Sequence, residues 1–366
     1  MTLDQIKSNL AMQFATSDVS LRHLPQQMTA AITTISYEPG RKAWQTEECR
    51  QDAGIVVGMI GPKGRKVIIC GDPHFLNGDT AFEIGSVTKV FTSLLLSDMV
   101  QRDEVALTDP VCKYLPAGVK APQRNGRQIT FLDLATHTSG LPTVPLNMKP
   151  RDATNPYAAY SVTQLYEFLS SYVLRRDIGS AFVYSNLGVG LLGHALALRA
   201  GMNYDALVRA RITGPLDMES TAIALSPAMK ARLAVGYDCQ LQPASNWDLP
   251  TLAGAGALRS TANDLLTFLE ANLGYAKTPL ASAMAAMLNV RRPSGTPGVE
   301  MALAWHIFAR GDGMIIGHGG MTGGYSSFIG YEPKARVGVA VLSNAQMWGA
   351  HDIGLHLLSP KAPGSE

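Results

Sequence analysis

The sequence is poor in charge: 16% of its 366 residues are Asp, Glu, Lys or Arg, the net charge is +2, and no long basic run occurs. That excludes the footprint needed for nucleic acid or an anionic membrane surface, and small neutral substrates fit better. The four cysteines, Cys49, Cys70, Cys112 and Cys239, lack Cys-x-x-Cys spacing. This argues against a metal knuckle or redox pair and leaves buried free thiols as the expectation. His-Glu-x-x-His is absent, so neither metal nor cofactor is expected, and the absence of Gly-x-Ser-x-Gly argues against an α/β-hydrolase. Between Met1 and Leu10, Asp4, Lys7, Ser8 and Asn9 interrupt any apolar run, so neither a signal peptide nor a membrane span is visible. The expected compartment is cytoplasmic, or periplasmic if a leader has been removed. Oligomeric state is not written in the sequence.

What is present is 46% apolar residues, enough for a large core in one big or two interleaved domains. The chain is organised around residues 81–100, where an apolar stub, Phe82 to Ile84, runs into Gly85 and Ser86. Val87, Val90, Phe91, Leu94, Leu95 and Met99 then recur at helical spacing, which sets Ser86 at a helix N-terminus. Lys89 lies three residues on, so the two side chains share one helix face a turn apart. A serine hydroxyl is a poor nucleophile unless a base takes its proton, and a lysine does this only where its surroundings remove its own charge. No other charged residue occurs from Lys89 to Ser97, the pattern of a helix buried nearly all round. Lowering a lysine from about 10.4 to near neutrality costs roughly 4–5 kcal/mol, within reach of a desolvated site. The helix N-terminus also offers N–H groups to a developing oxyanion. The opposing reading is that Ser86 merely caps a core helix.

Strand signals lie at both ends of the legible chain. Ile55–Ile60 and Lys66–Cys70, joined by Gly61-Pro62-Lys63-Gly64, predict a hairpin. Ala302–Phe308, Met314–Gly317, Tyr325–Tyr331 and Val337–Leu342 predict late strands, with a closing helix near Ile353–Leu358. Between them, helices are predicted at Ile129–Ala135 with Thr130 and Asp133 as caps, at Val162–Tyr172, Leu187–Ala200 and Asp205–Arg211, and after Thr261, where Asp264 completes a capping box. Met28 to Tyr37 reads equally as helix or strand. The order predicts an α/β (α+β) architecture: residues 1–85 and 260–366 form a domain around a central antiparallel sheet, 86–259 a mainly helical domain, and the active site lies at their interface.

Two more motifs bear on the chemistry. Tyr184-Ser185-Asn186 stands at the mouth of a helix; Tyr184 can relay the Ser86 proton, as phenolate or as a partner of Lys89, and Asn186 can hold Lys89 and a substrate carbonyl. The plain alternatives are a core aromatic and a helix cap. His318-Gly319-Gly320 follows the apolar Met314-Ile315-Ile316; its glycines let a substrate lie against the backbone, and the Met321 amide can complete an oxyanion hole with Ser86 N–H. A glycine-rich hairpin turn is the alternative there.

In this order Ser86-Val87-Thr88-Lys89, Tyr184-Ser185-Asn186 and His318-Gly319-Gly320 resemble the Ser-x-x-Lys, Ser-Asp-Asn and Lys-Thr-Gly signature of the serine β-lactamase and penicillin-binding-protein superfamily. The tyrosine version looks like the class C β-lactamase-like branch, which also includes family VIII carboxylesterases, D-aminopeptidases and DD-carboxypeptidases/endopeptidases. Phe82–Ser86, Leu134–Pro142, Tyr184–Gly188 and Gly254–Thr261 extend the resemblance, over roughly residues 52–345 in all. It implies a β-lactamase/transpeptidase-like fold, acylation of Ser86, and Lys89 and Tyr184 as general base and acid. It further implies Asn186, His318 and Gly320 as substrate-binding positions and an oxyanion hole made by the N–H groups of Ser86 and Met321. The motif around His137 is structural in the superfamily.

The departure is His318, where members acting on β-lactams or peptidoglycan commonly carry lysine; histidine is mostly neutral near pH 7 and offers no fixed charge to a substrate carboxylate. The expected function is therefore hydrolysis of a carboxylic ester through a Ser86 acyl-enzyme, on a small-molecule ester or amide. A class C-like β-lactamase, a D-Ala-D-Ala carboxypeptidase or a D-aminopeptidase is the enzymatic alternative, and a non-catalytic sensor or scaffold the remote one. Substrate identity is expected in loops 142–160 and 238–256, with Tyr157, Tyr160 and Trp247 as candidate pocket walls.

Overall fold

The apolar runs on either side of Pro62-Lys63 fold back on each other as β1 (Ile55–Gly61) and β2 (Gly64–Cys70) in a computed structural model that describes residues 52–311, 313–346 and 349–359. Gly64 closes the turn at φ +103°, a conformation that side chains resist. Met28 to Tyr37 and Cys49 lie outside the described residues. Two short ladders follow, β3 (Phe82–Glu83) with β6 (Arg259–Ser260) and β4 (Gln123–Arg124) with β5 (Arg127–Gln128). The late strands are β7 (Arg292–Pro293), β8 (Val299–Met301), β9 (His306–Arg310), β10 (Gly313–Met321), β11 (Ser326–Glu332) and β12 (Val337–Ser343). With β1 and β2 they build one eight-stranded antiparallel sheet in the order β2-β1-β12-β11-β10-β9-β8-β7.

Both faces of this sheet are buried, and the two-residue period of a strand sorts its side chains between them. Val56 and Ile60 point to one face, where Leu266 and Leu269 of α7 (Ala262–Asn272) pack. Ile55 and Val57 point to the other, with Phe328, Val341 and the Ile353 and Leu357 of α9 (Ala350–Leu358). Each such side chain contributes roughly 1.5–3 kcal/mol on full burial.

Between the two ends of the sheet come α1 (Thr88–Gln101), α2 (Phe131–Ala135), α3 (Val162–Ser171), α4 (Asn186–Ala200), α5 (Tyr204–Val208) and α6 (Pro227–Ala231). One further short helix, α8 (Ala281–Ala286), packs on α1. Every residue of α1 from Thr88 to Met99 is buried, as the uncharged run predicted. Both halves of the box at α2 form, Thr130 Oγ1 accepting from Asp133 N and Asp133 from Thr130 N. No helix among the described residues is long and apolar enough to cross a membrane.

Several expectations are corrected. The strand predicted over Ala302–Phe308 is broken at Ala302–Trp305, where Ala304 adopts φ +61° and donates its N–H to Ala135 O at 3.2 Å, tying the sheet to α2 beside the fully buried Trp305. The helix predicted at Asp205–Arg211 is α5 running into a π-turn, Arg209–Thr213. Thr261 does cap α7, but the Asp264 carboxylate is taken by Ser220 N at 2.9 Å and Thr221 Oγ1 at 2.7 Å, so it braces the loop before α6. Cysteines are not uniformly buried: Cys70 is, Cys112 is half-buried and Cys239 is exposed.

Candidate active site

After β3 the chain turns at Gly85, φ +48°, into a single 3-10 turn, Gly85–Val87, that feeds α1. This places Ser86, half-buried, at the helix entrance and Lys89 one turn inside it, with no exposure at all. Lys89 Nζ lies 2.8 Å from Ser86 Oγ, 2.8 Å from Asn186 Oδ1 and 2.6 Å from Ala255 O. None of these partners is a carboxylate, and burial drives the amine well below its ordinary 10.5. The Ala255 carbonyl is held there by α1 itself, because Thr92 Oγ1 donates to the neighbouring Gly254 O at 2.7 Å.

Tyr184 and Asn186 arrive on the turn that starts α4. Ser185 caps that helix, accepting Gly188 N at 2.8 Å and donating to Pro142 O at 2.6 Å. His137, at φ +58°, fastens the same turn: its Nδ1 accepts Ser185 N at 3.1 Å and its carbonyl accepts Val183 N at 2.8 Å. Both ends of the Asn186 amide are engaged, Oδ1 by Lys89 and Nδ2 by donation to Tyr157 Oη at 3.0 Å. The Lys89 nitrogen sits 4.8 Å from the centre of the Tyr184 ring. Burial pushes the Tyr184 phenol above its ordinary value, outweighing the opposite pull of its hydrogen bond to Ser86. The phenolate allowed by the sequence is thus disfavoured, and the phenol keeps its proton.

His318-Gly319-Gly320 is no turn but the body of β10, which extends past the predicted end at Gly317 to Met321. Thr322 N donates to Tyr325 O at 3.0 Å, so by the alternation of an antiparallel ladder the Met321 amide faces away from β11. On that side β9 has already ended, its last pair being His306 with Gly317. The Gly85–Val87 turn fills the gap: a Cβ on Gly85 would sit 2.7 Å from Met321 N, and one on Gly320 would sit 2.0 Å from Ile84 O and 3.0 Å from Ser86 N. The amides of Ser86 and Met321 therefore lie side by side.

Backbone in contact with backbone leaves no room for a methyl group, and Gly320→Ala is expected to destabilise by about 3 kcal/mol, the upper range for overpacking. Urea unfolding reads this as a lower midpoint; an unchanged midpoint would mean that β10 and the Gly85–Val87 turn do not touch.

His318 is buried, with Nδ1 2.6 Å from Gly319 O and its ring 6.4 Å from that of Tyr184. Burial first, then the neighbouring His306 and Lys89, hold it well below the ordinary 6.5, so it is neutral at pH 7. His306, 5.1 Å from His318 ring to ring, is pushed down to about 4 for the same leading reason. No group of three possible metal ligands gathers among the described residues.

Of the candidate walls, Tyr157 and Trp247 pack together with centroids 5.6 Å apart; Tyr157 and Tyr160 are both core residues, 6% and 3% exposed, and the Tyr160 hydroxyl donates to Asn147 Oδ1 at 3.1 Å. Sequence reasoning missed the Ala255 carbonyl as a Lys89 partner and Tyr157 as the partner of Asn186. A backbone carbonyl has no side-chain signature, and a tyrosine in a loop has no period to place it.

The geometry can be set beside known proteins. The D-alanyl-D-alanine-carboxypeptidase/endopeptidase AmpH of Escherichia coli (strain K12) is 32% identical over 281 residues, 72% of this chain and 71% of that one. Among solved structures, a β-lactamase/D-alanine carboxypeptidase from Yersinia pestis complexed with citrate superposes with a TM-score of 0.73 at 23% identity, covering 84% of this chain and 93% of the other. A class C β-lactamase from Rhodobacter sphaeroides gives 0.72 at 24%, covering 91% and 100%; at these identities both likenesses speak for the β-lactamase/transpeptidase-like fold alone. The sequence profile described as Beta-lactamase matches residues 67–357, from β2 through α9, and so takes in all three motif segments. With a serine, a buried amine and a phenol gathered on that fold, the chain belongs to the Beta-lactamase family of serine hydrolases.

Proposed function

We propose that the chain hydrolyses amide-type acyl substrates, D-alanyl peptides and β-lactams, through a Ser86 acyl-enzyme. The division read from the sequence, a sheet domain of residues 1–85 and 260–366 and a helical domain of 86–259, would set the site at their seam. The observation that carries the reading is the trio of oxygens around Lys89 Nζ. A neutral amine has two N–H groups and one lone pair, and Asn186 Oδ1 and Ala255 O can only accept. They consume both N–H groups and leave the lone pair for the one partner able to donate, the Ser86 hydroxyl. Lys89 is the general base by this arithmetic of donors.

As Ser86 Oγ bonds to the substrate carbonyl carbon, its proton passes to Lys89 and the carbonyl oxygen collects the N–H groups of Ser86 and Met321. Tyr184, kept protonated by burial, gives its proton to the departing nitrogen or oxygen as that bond breaks, and takes the Lys89 proton in turn. Water then attacks the ester and the same groups return Ser86 to its starting state. Asn186 holds Lys89 and, with its second Nδ2 hydrogen, meets the substrate. The substrate class follows the family and the name of the AmpH relative.

A second reading, a carboxylesterase, is favoured by one observation: His318 is neutral where a carboxylate-bearing substrate would meet a fixed charge. Wild type mixed separately with a p-nitrophenyl ester, a chromogenic cephalosporin and a D-alanyl-D-alanine peptide, followed by absorbance, amine release and intact mass, separates the two. Turnover of the cephalosporin or peptide supports the first reading; ester turnover alone supports the second. His318→Lys is expected to raise kcat/KM for substrates with a free carboxylate relative to those without. An unchanged ratio would remove His318 from specificity.

A further inference from the structure

A buried ion pair stands three residues before the nucleophile. Glu83 and Arg259, 3% and 6% exposed, meet at 3.0 Å between Oε1 and Nη2 across the β3–β6 ladder. Burying two charges is costly unless their remaining hydrogen-bonding capacity is used. Here part of it goes to one residue, Trp247, and Arg259 Nη1 donates to Ala257 O at 3.1 Å, while Glu83 Oε2 and Arg259 Nε are buried with no hydrogen-bond partner among the described residues. Glu83 Oε1 accepts Trp247 N at 2.9 Å, and Arg259 Nη2 donates to Trp247 O at 2.7 Å. The indole Nε1–H is fixed as well, donating to Thr154 O at 3.0 Å. The loops around Trp247 and Thr154 are further laced together by Asn155 Nδ2 to Asp248 Oδ2 at 2.9 Å and Asp248 N to Asn155 Oδ1 at 2.9 Å.

A tryptophan whose every polar group is tied down, yet which remains half-buried, is a rigid apolar surface rather than a core filler. Its position is at the mouth of the site. On one side it packs on Tyr157, the partner of Asn186. On the other it lies against Gly323, two residues past Met321, where a Cβ would come within 2.7 Å of Trp247 Nε1. It thus spans from the Asn186 wall to the end of β10. The leaving group must meet the Tyr184 hydroxyl, whose ring neighbours are His137 and His318. Trp247 belongs to neither neighbour, so what it receives is the acyl side.

We propose that Trp247 is a specificity-determining residue, a platform for planar or apolar acyl groups, and that Glu83 and Arg259 are its positioning residues. This rests on the Ser86 acyl-enzyme reading. The test compares kcat/KM for p-nitrophenyl phenylacetate and p-nitrophenyl acetate, which share a leaving group and differ only in the acyl part. In Trp247→Ala the phenylacetate-to-acetate ratio is expected to fall about tenfold, the size of an aromatic contact, while Trp247→Phe holds it within about threefold. Glu83→Gln is expected to lower the ratio too, and Glu83→Gln combined with Trp247→Ala to lower it no further than Trp247→Ala alone. An unchanged ratio in Trp247→Ala, or an equal loss for both esters, overturns the proposal and leaves the acyl-enzyme reading intact. Ester hydrolysis that persists in Ser86→Ala overturns both.

Discussion

Ser86→Ala is expected to lower turnover of every substrate by about 10⁴-fold or more, as loss of the nucleophile does in other serine enzymes. The reason is local: the Tyr184 phenol and the paired amides of Ser86 and Met321 have no acyl bond to act on once Oγ is gone. The substitution is small and leaves the helix entrance in place, since Gly85 sets the turn and the Ser86 amide remains. Near-normal thermal unfolding is therefore expected beside the collapse in rate. Intact mass after exposure to a cephalosporin gives the second check, for wild type should carry the acyl increment and Ser86→Ala should not. A variant that still turns over its substrate at a tenth of the wild-type rate would move the nucleophile elsewhere.

Lys89→Met comes next in size, an expected loss of about 10⁴-fold in kcat at the upper end for a general base. It carries a second signature in stability. The folded-state value of Lys89 lies well below 10.5, the value of a free lysine. Between those two values the unfolded chain holds a proton that the folded chain does not, so stability must rise with pH across that window. Above 10.5 neither state is charged and the penalty is gone; as pH falls toward the folded value it grows to its full extent. Urea unfolding of wild type and Lys89→Met at several alkaline pH values should show wild type gaining on the variant as pH rises toward 10.5. A difference that stays flat with pH would mean that the lysine keeps its charge on folding and cannot take the serine proton.

The contacts legible in the sequence are those that depend on local spacing. Ser86 and Lys89 touch because residues three apart on a helix must, and Tyr184-Ser185-Asn186 was recognisable because a capped helix start has its own signature. The β1–β2 hairpin and the α2 capping box were equally local. Contacts made across the chain were not legible. Ala255 O meets Lys89 from 166 residues away and through the backbone. Asp264 resembles half of a capping box, yet its carboxylate answers to Ser220 and Thr221, whose proximity only the packed fold supplies. The glycines of β10 mimic a turn because composition records flexibility; here they serve closeness, letting one strand press on the Gly85–Val87 turn. The break at Ala304 was hidden for the opposite reason, since Ala302 to Phe308 is β-compatible and apolar but for His306, and the kink is imposed by its bond to Ala135.

The order of strands in the sheet has a consequence for how the protein is made. β1 sits between β2 and β12, and the Asn344 side chain that seals its entrance accepts Gly54 N from 290 residues further along. Ribosomes add about 5–20 residues per second, so β1 is exposed to the cell for many seconds before its neighbour on the inner side exists. Ser86, Lys89, Tyr184 and Met321 are all synthesised in that interval, Met321 the last of them. Until β10 has been made, the nascent chain holds Ser86 and Lys89 without the strand that sets the Met321 amide beside them. The pairing of the Ser86 and Met321 amides therefore waits on closure of the sheet, late in synthesis.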